Sequence, residues 1–352
     1  MKRILVTLPL LALAFMAFTG PLAGSVRAAE ANLVVKVGAG EPGFAINQFM
    51  PNTISVTTGS TITFEFNWGE PHSVTFGAPG APATSPATFD GGALNTDLVF
   101  GPGQKFDVKF TKKGSYAYYC IIHPKMTATV NVVDPAGPGV PDTQLSADRR
   151  ASAELTSANL AVKEVARVLN AAPVAVTRQA NGSSVYTLIA GGITNTGHDA
   201  MQFFPAAAKI KVGDSIKWLS PTETPHTITF NAPPGPPQGD PINLPVVKPA
   251  GAWDGTGVLS SGTIWTIPAP GTRNSFEATF GKAGTYTYVC LLHAPQAMVG
   301  SVSVEAATAP LPPNTGGGTL SGGRTNSTLF GVLGLLAIVL GGGAITAARR
   351  KA

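Results

Sequence analysis

The chain has 352 residues, of which only 12% are charged, and its abundant glycine (41) and proline (30) favour β-strands joined by long loops over helices. This length allows two domains with additional segments. Taking the six basic residues of the two chain ends from the total of 24 leaves 18 against 19 acidic residues, so the body is near neutral and gives no basis for nucleic-acid binding.

The N-terminus has the pattern of an export signal. Lys2 and Arg3 precede an uncharged apolar run from Ile4 to Phe18, and small residues follow at the expected cleavage positions. We expect a signal peptide over residues 1–28, cleaved after Ala28 or Ala29. An uncleaved N-terminal anchor remains the alternative.

Residues 29–134 alternate apolar and polar side chains in the manner of strands in an antiparallel β-sandwich. The predicted strands are Ile54–Val56, Thr61–Phe66, Phe106–Phe110, Tyr116–Cys120 and Thr129–Val133. Four residues with metal-binding side chains accompany them, namely His72, Cys120, His123 and Met126. This segment is predicted to be the first domain.

Residues 135–181 are predicted to be a linker that contains one helix. The helix begins at a cap at Asp142 and ends near Asn170, before Pro173. Its apolar stripe consists of Leu155, Ala158, Val162, Val165 and Leu169. We expect this stripe to pack on a sandwich.

Residues 182–306 repeat the first domain. Gln48-Phe-Met-Pro51 recurs as Gln202-Phe-Phe-Pro205, and each motif begins 24 residues before the His of a Pro-His pair. The second copy has His226, Cys290, His293 and Met298 in the same order as the donors of the first. The interval between the first His and the Cys is longer in this copy. The excess begins in the stretch Ala232–Pro237 and is predicted to be a surface loop.

The C-terminal segment is predicted to anchor the chain. Residues 307–328 have the Pro, Gly, Ser and Thr content of a flexible stalk. Residues 329–348 are uncharged and, as a helix, would span about 30 Å, the thickness of a bilayer core. Residues 349–352 carry three positive charges and are expected to stay in the cytoplasm, so both repeats would be extracytoplasmic, either periplasmic or on the cell surface.

A motif at Leu311–Gly316 resembles the signal that sortases cleave, but it has one residue more than the Leu-Pro-x-Thr-Gly pattern. We therefore favour a single-pass membrane anchor over covalent attachment to a cell wall.

Each repeat supplies one thiol, two imidazoles and one thioether. This is the donor set of a mononuclear type 1 copper site, with two His and one Cys in a plane and a weak axial Met. The predicted ligands are His72, Cys120, His123 and Met126 at the first site, and His226, Cys290, His293 and Met298 at the second. A disulfide between Cys120 and Cys290 is not expected, because it would consume both thiolates. Zinc is disfavoured as the metal, because structural zinc sites seldom use Met.

The axial position of the second site has two candidates. Gln296 has the spacing from Cys290 that Met126 has from Cys120, and Gln can also serve as an axial ligand. Met298 is preferred, because the strand that follows it aligns with the strand that follows Met126.

Both repeats resemble the plastocyanin, amicyanin and azurin group of cupredoxins. The shared features are a Pro-His pair before an alternating strand and a Tyr-x-Tyr-x-Cys-x2-His approach to the ligand loop. The spacing from Cys120 to Met126 is similar to that of amicyanins, and the spacing from Cys290 to Met298 to that of plastocyanins. The resemblance implies an all-β fold of two tandem Greek-key β-sandwiches, here joined by the helical linker and followed by a transmembrane helix.

Such sites move single electrons, so we expect an electron carrier between redox proteins at the membrane or cell surface, not an enzyme. Multicopper oxidases and copper nitrite reductases need additional histidines, and only His198 remains after the two sites have taken four of the five. His198 lies in a turn-like sequence and is expected to be solvated. A copper-buffering protein, or a subunit of a reductase-type assembly that gathers several copies of His198, remains an alternative.

Overall fold

The computed structural model describes residues 32–238, 240–266, 273–293 and 297–306. The predicted signal peptide, stalk, membrane span and cytoplasmic tail lie outside the described residues, and so does Gln296. Within the described ranges, no helix is both long and apolar enough to cross a membrane.

The first repeat forms two facing sheets. Its strands are β1 (Leu33–Glu41), β2 (Phe44–Met50), β3 (Thr53–Thr57), β4 (Thr61–Phe66), β5 (Thr75–Phe76), β6 (Ala87–Phe89), β7 (Leu94–Asn95), β8 (Gln104–Phe110), β9 (Gly114–Tyr119) and β10 (Thr127–Val133). One layer has the order β2-β1-β4-β8-β6 and the other β3-β10-β9-β5-β7. Alternate residues of β4, including Phe64 and Phe66, are buried between the layers, as the sequence pattern predicted.

A single helix, α1 (Gln144–Ala171), follows the first repeat. The prediction placed its cap at Asp142, but Thr143 is the N-cap residue and its hydroxyl accepts a hydrogen bond from the Ser146 backbone. Asp142 instead accepts a hydrogen bond from the Ser55 backbone and pairs with Arg150, so it ties the start of the helix to β3.

The second repeat has the same two layers. Its strands are β11 (Ala175–Arg178), β12 (Ser184–Ile193), β13 (Asp199–Phe204), β14 (Ala207–Lys211), β15 (Ser215–Leu219), β16 (Thr229–Phe230), β17 (Leu259–Ser260), β18 (Ser275–Thr279), β19 (Gly284–Val289) and β20 (Val299–Glu305). One layer is β18-β15-β12-β13, with β11 also paired to β12, and the other is β14-β20-β19-β16-β17. The long interval after β16 contains a 3₁₀ helix, Pro241–Asn243. The stretch Ala232–Pro237 at the start of this interval is largely exposed, as predicted for a surface loop.

The sheets are mixed, whereas the alternation had suggested purely antiparallel sandwiches. β1 pairs in parallel with β4, and β3 with β10, in the first repeat; β12 with β15 and β14 with β20 do so in the second. Parallel pairing requires a crossover instead of a hairpin. The alternation of a strand reports which face is buried and carries no information on the direction of its neighbour.

The two repeats share one sheet. β2 and β13 pair antiparallel, with Ala45 opposite Asp199 and Phe44 opposite Ala200, and this joins the two layers into ten strands. Helix α1 lies across the joint and contacts β1, β2, β12 and β13. The cluster beneath it draws on both repeats and consists of Ile46, Met50, Ala151, Ala158, Val162, Ala166, Ala200 and Phe204. The predicted stripe is therefore confirmed, but it covers the junction of two sandwiches instead of one.

Candidate metal centres

The first cluster forms where the two layers of the first repeat meet at one end. His72 lies between β4 and β5 and pairs through its backbone with Val99. Cys120 directly follows β9, and Met126 directly precedes β10. The short loop between these strands therefore carries three donors, and the segment that leads into β5 presents the fourth.

Three donor atoms converge in this cluster. The Nδ1 atoms of His72 and His123 lie 3.1 Å apart, and the Cys120 Sγ is 3.4 Å from His123 Nδ1. The candidate donor atoms of these three residues all lie within 4.8 Å of one another.

The second repeat builds the same cluster. Cys290 directly follows β19, and its Sγ lies 3.4 Å from His293 Nδ1. His226 pairs through its backbone with Ile264, and its donor atom lies within 4.8 Å of those of Cys290 and His293. All three residues are buried.

Both loops are closed by the same hydrogen bonds. The backbone N–H of the residue after the first His, Ser73 or Thr227, points at the cysteine sulfur from 3.3 Å. The hydroxyl of that residue accepts a hydrogen bond from the backbone of Ile121 or Leu291. Each sulfur is thereby held by the same segment that carries the remote His.

Burial keeps the imidazoles neutral. It lowers the pKa of His123 and of His293 to about 4, and with the neighbouring ring it lowers the pKa of His72 and His226 well below the ordinary value. At neutral pH all four rings therefore offer lone pairs. His123 also contributes to the lowered pKa of His293, so the two clusters are close enough to interact electrostatically.

These features fit a bound metal ion. Among the described residues, His226 Nδ1 is buried without a hydrogen-bond partner, which is costly unless another group satisfies it. Burial raises the pKa of the Cys120 and Cys290 thiols, although backbone hydrogen bonds to sulfur oppose the shift. Metal binding would release these thiol protons, because the thiolate is the ligand.

The sequence profile described as copper binding proteins, plastocyanin/azurin family, matches residues 35–133 and 191–305. The chain belongs to this family. The two matched segments are the two repeats, so the protein is a cupredoxin with two tandem domains, mostly β-structure with one helix.

The similar proteins include several plastocyanins. The chloroplastic plastocyanin of Silene latifolia subsp. alba is 37% identical over 107 residues, which are 30% of this chain and 60% of that protein's length. Plastocyanin B'/B'' of Nicotiana tabacum is 37% identical over 89 residues, 25% of this chain and 86% of that protein. A solved structure of an oxidised amicyanin variant is 24% identical, covers 30% of this chain and 87% of that one, and has a TM-score of 0.23.

The cofactor of this cupredoxin is copper. Family membership in both segments and a His, Cys, His cluster in each domain together fit two type 1 copper sites. Among the described residues, these are the only groups of three or more His, Cys, Asp or Glu that converge as metal donors.

The predicted axial methionines both lie beside the clusters. Met126 and Met298 are buried, and the carbonyl oxygen of each accepts a hydrogen bond from the backbone of its cysteine at 3.0 Å. The backbone of Met126 and Met298 in turn donates to the carbonyl of His123 and His293. The preference for Met298 over Gln296 stays a prediction, because Gln296 lies outside the described residues.

Two glycines that the sequence reasoning missed enclose the remote histidines. Gly38 and Gly191 occupy irregularities in β1 and β12, with φ of 68° and 81°. A Cβ at either position would overlap with Nε2 of His72 or His226. Both the left-handed backbone and the close approach require glycine. Glycines inside two segments that otherwise read as strands were the available signal.

His198 is not solvated, contrary to the expectation from its turn-like sequence. It is only 4% exposed, and its burial lowers its pKa to about 4. The turn that carries it immediately precedes β13, which pairs with the first repeat, so the domain junction buries the ring. His198 belongs to neither metal cluster.

Proposed function

We propose that this protein carries single electrons between redox partners through two type 1 copper sites, one in each domain. The proposed ligands are His72, Cys120, His123 and Met126, and His226, Cys290, His293 and Met298. The observation that carries the proposal is the convergence, in both repeats, of two neutral imidazoles and a thiol at the end of a buried sandwich. Copper bound by such donors supplies reversible one-electron chemistry.

The protein's contribution is a site that does not rearrange. Strands on both sides of each ligand loop, the hydrogen bonds to sulfur and the packed glycines all restrict movement of the donors. A small change of geometry between the two oxidation states favours fast electron transfer.

The count of histidines supports a carrier over an enzyme. Four of the five are in the two clusters, which leaves His198 for any further copper site. A reductase-type assembly would need His198 to reach a neighbouring subunit. Its burial at the domain junction favours the carrier over that alternative.

We further propose that the carrier is tethered to the outer face of a cell membrane. The support is the sequence pattern alone, which is an export signal over residues 1–28 and an uncharged run over 329–348 followed by positive charge. As a flexible coil, the 22 residues of the stalk would span roughly 25 Å, which would let both domains meet partners near the membrane.

Copper analysis of residues 29–310 tests the central proposal. We expect two copper ions per chain and an intense thiolate-to-copper absorption in the visible range when the protein is oxidised. One copper or none after loading, or the absence of this absorption, would contradict two type 1 sites.

Kinetics distinguish a carrier from a copper-buffering protein. A carrier should pass through repeated cycles of one-electron reduction and oxidation without losing metal to a competing Cu(I) chelator. Slow cycling with release of copper to the chelator would favour buffering.

Truncation tests the tether. A chain that ends before Leu329 should be secreted in soluble, copper-loaded form, whereas the full chain should sediment with membranes. Continued membrane association of the truncated chain would show that another segment is the anchor.

A further inference from the structure

The loop histidines of the two sites differ in exposure. His123 of the first domain is partly exposed, and the adjacent Ile121 and Ile122 are 36% and 41% exposed. His293 of the second domain is only 3% exposed. The equivalent ring is therefore fully covered in the second domain and only partly covered in the first.

The cover includes a segment of the first domain. Trp68, which lies shortly before His72, packs against the core cluster of the second domain. Glu70 follows on the same segment and is itself buried at 8% exposure. The segment from Trp68 to Glu70 thus docks on the second sandwich.

Glu70 contacts a proposed ligand of the other domain. Its Oε1 lies 3.7 Å from His293 Nε2, within the range of an electrostatic contact. The other nitrogen of the same ring, Nδ1, faces the Cys290 sulfur at 3.4 Å. The imidazole is therefore held between the donor cluster on one side and a carboxyl group of the first domain on the other.

The second domain has no acid at the equivalent position. Thr224 precedes Pro225-His226 as Glu70 precedes Pro71-His72. The Thr224 side chain is hydrogen-bonded to Asp199 and thus takes part in the domain junction instead of a metal site. The carboxyl contact is consequently a feature of one site, created by the docking of the two domains.

We infer that Glu70 is a positioning residue for His293, so that the first domain completes the metal site of the second. This inference rests on the proposed function of the two clusters as copper sites. Metal-binding histidines commonly direct their outer N–H to a carboxyl or carbonyl oxygen, which fixes the ring orientation. The contact requires only an accepting oxygen, and a carboxyl group offers one in either protonation state.

The test compares Glu70→Ala with Glu70→Gln, which keeps an accepting oxygen. Glu223→Ala is the matched control, because Glu223 is exposed and lies next to the equivalent position in the second domain. Each substitution is made in the full chain and again with Cys120→Ser or Cys290→Ser, so that the thiolate absorption reports one site at a time. Copper affinity is measured by competition with a chelator of known affinity.

We expect Glu70→Ala to weaken copper binding at the second site by about 10- to 100-fold and to leave the first site within about twofold. Glu70→Gln should restore most of the affinity, and Glu223→Ala should change neither site. Unchanged affinity at the second site in Glu70→Ala, or an equal loss in Glu70→Gln with the fold intact, would overturn the inference. Absence of thiolate absorption in the unsubstituted protein would instead refute the copper proposal itself.

A measurement on metal-free protein provides an independent readout. Peptide mapping after brief treatment with diethyl pyrocarbonate should show His123 modified before His293 in the unsubstituted chain. Glu70→Ala should raise the reactivity of His293 severalfold, and Glu223→Ala should not. Equal protection of His293 in all three proteins would show that Glu70 does not hold the ring.

Discussion

The two metal sites of this cupredoxin have the same donors but different surroundings. The first has a partly exposed His123 beside two exposed isoleucines, whereas the second has a buried His293 in contact with Glu70 of the other domain. The ligand loops also differ, with six residues from Cys120 to Met126 and eight from Cys290 to Met298. Duplication preserved the chemistry of the donors, and domain docking made their environments unequal.

The docking has a polar centre as well as an apolar one. Asn47 of the first domain donates a hydrogen bond of 2.7 Å to Asp199 of the second, and both residues are buried. Lys125, on the first metal loop, lies against Gly197, which is in the turn before β13. The junction therefore contacts the first metal loop through Lys125 and the second through Glu70 and His293. We expect substitutions at the junction to affect metal binding at both sites.

The strongest test of the comparison removes one site at a time. Cys120→Ser should abolish the thiolate absorption of the first site and Cys290→Ser that of the second, because each domain contains a single cysteine. Copper content should fall from two ions to one in each case. The remaining absorption should differ between the two variants, since the surroundings differ. Loss of both absorptions in either variant would refute separable sites.

The next largest effect concerns the helix that covers the junction. Val162→Asp places an unpaired charge beneath α1 and should lower the free energy of unfolding by about 3 to 5 kcal/mol. Leu160→Asp on the same helix is the control, because Leu160 is 67% exposed and should change stability by less than about 0.5 kcal/mol. Chemical denaturation measures both. Equal effects would show that the helix does not hold the domains together.

The buried carboxyl at the junction predicts a dependence of stability on pH. Burial raises the pKa of Asp199 to about 7 from an ordinary 3.8, so the native state retains a proton that the unfolded chain releases. This contribution to stability is complete below about pH 4 and is lost as pH rises towards 7. It amounts to at most about 4 kcal/mol for a shift of about three pKa units.

Asp199→Asn should reduce this decline and be more stable than the unsubstituted protein at pH 8. Glu70, whose pKa is raised to about 8 by burial and by Asp199, accounts for a remaining decline with the same sign. Lys125 and Glu223 also act on Asp199. Denaturation midpoints between pH 4 and 8 check this, and an unchanged slope in Asp199→Asn would contradict it.

The packed glycines test whether both remote histidines are held alike. Gly38→Ala and Gly191→Ala should each weaken only the adjacent site, because the new methyl group meets the His72 or His226 ring. Gly103→Ala and Gly213→Ala are controls with φ of 93° and open space around the Cβ position. The controls should lose about 1 to 2 kcal/mol from backbone strain, and the test variants about 1 to 3 kcal/mol more from overpacking. If thermal unfolding shows the same loss of stability in the test and control variants, the close contact between each glycine and its histidine ring is refuted.

The smallest expected change concerns the axial position. Met298→Leu should raise the reduction potential of the second copper and shift its spectrum, because a weak donor to Cu(II) is lost, while the first site stays unchanged. Gln296→Leu should have no such effect. A redox titration that detects the two sites separately decides between them, and the reverse result would make Gln296 the axial ligand.

Local sequence patterns were sufficient for the donor clusters. Cys120 and His123 are three residues apart on one loop, and the order repeats at Cys290 and His293, so short-range geometry fixes most of each site. The alternation in β4 and the apolar stripe of α1 likewise identified buried faces. These features follow from neighbouring residues, because strand and helix periodicity relate side chains only a few positions apart.

Tertiary structure decided everything that depends on which edges and faces meet. Nothing local in Ala45 or Asp199 indicates that β2 and β13 pair. The turn-like sequence around His198 likewise does not indicate whether its ring is buried or solvated. The contact between Glu70 and His293 joins residues far apart in the chain and exists only because the domains share a sheet. The sequence by itself determined two copper sites of the same kind, and the docking of the domains made them different.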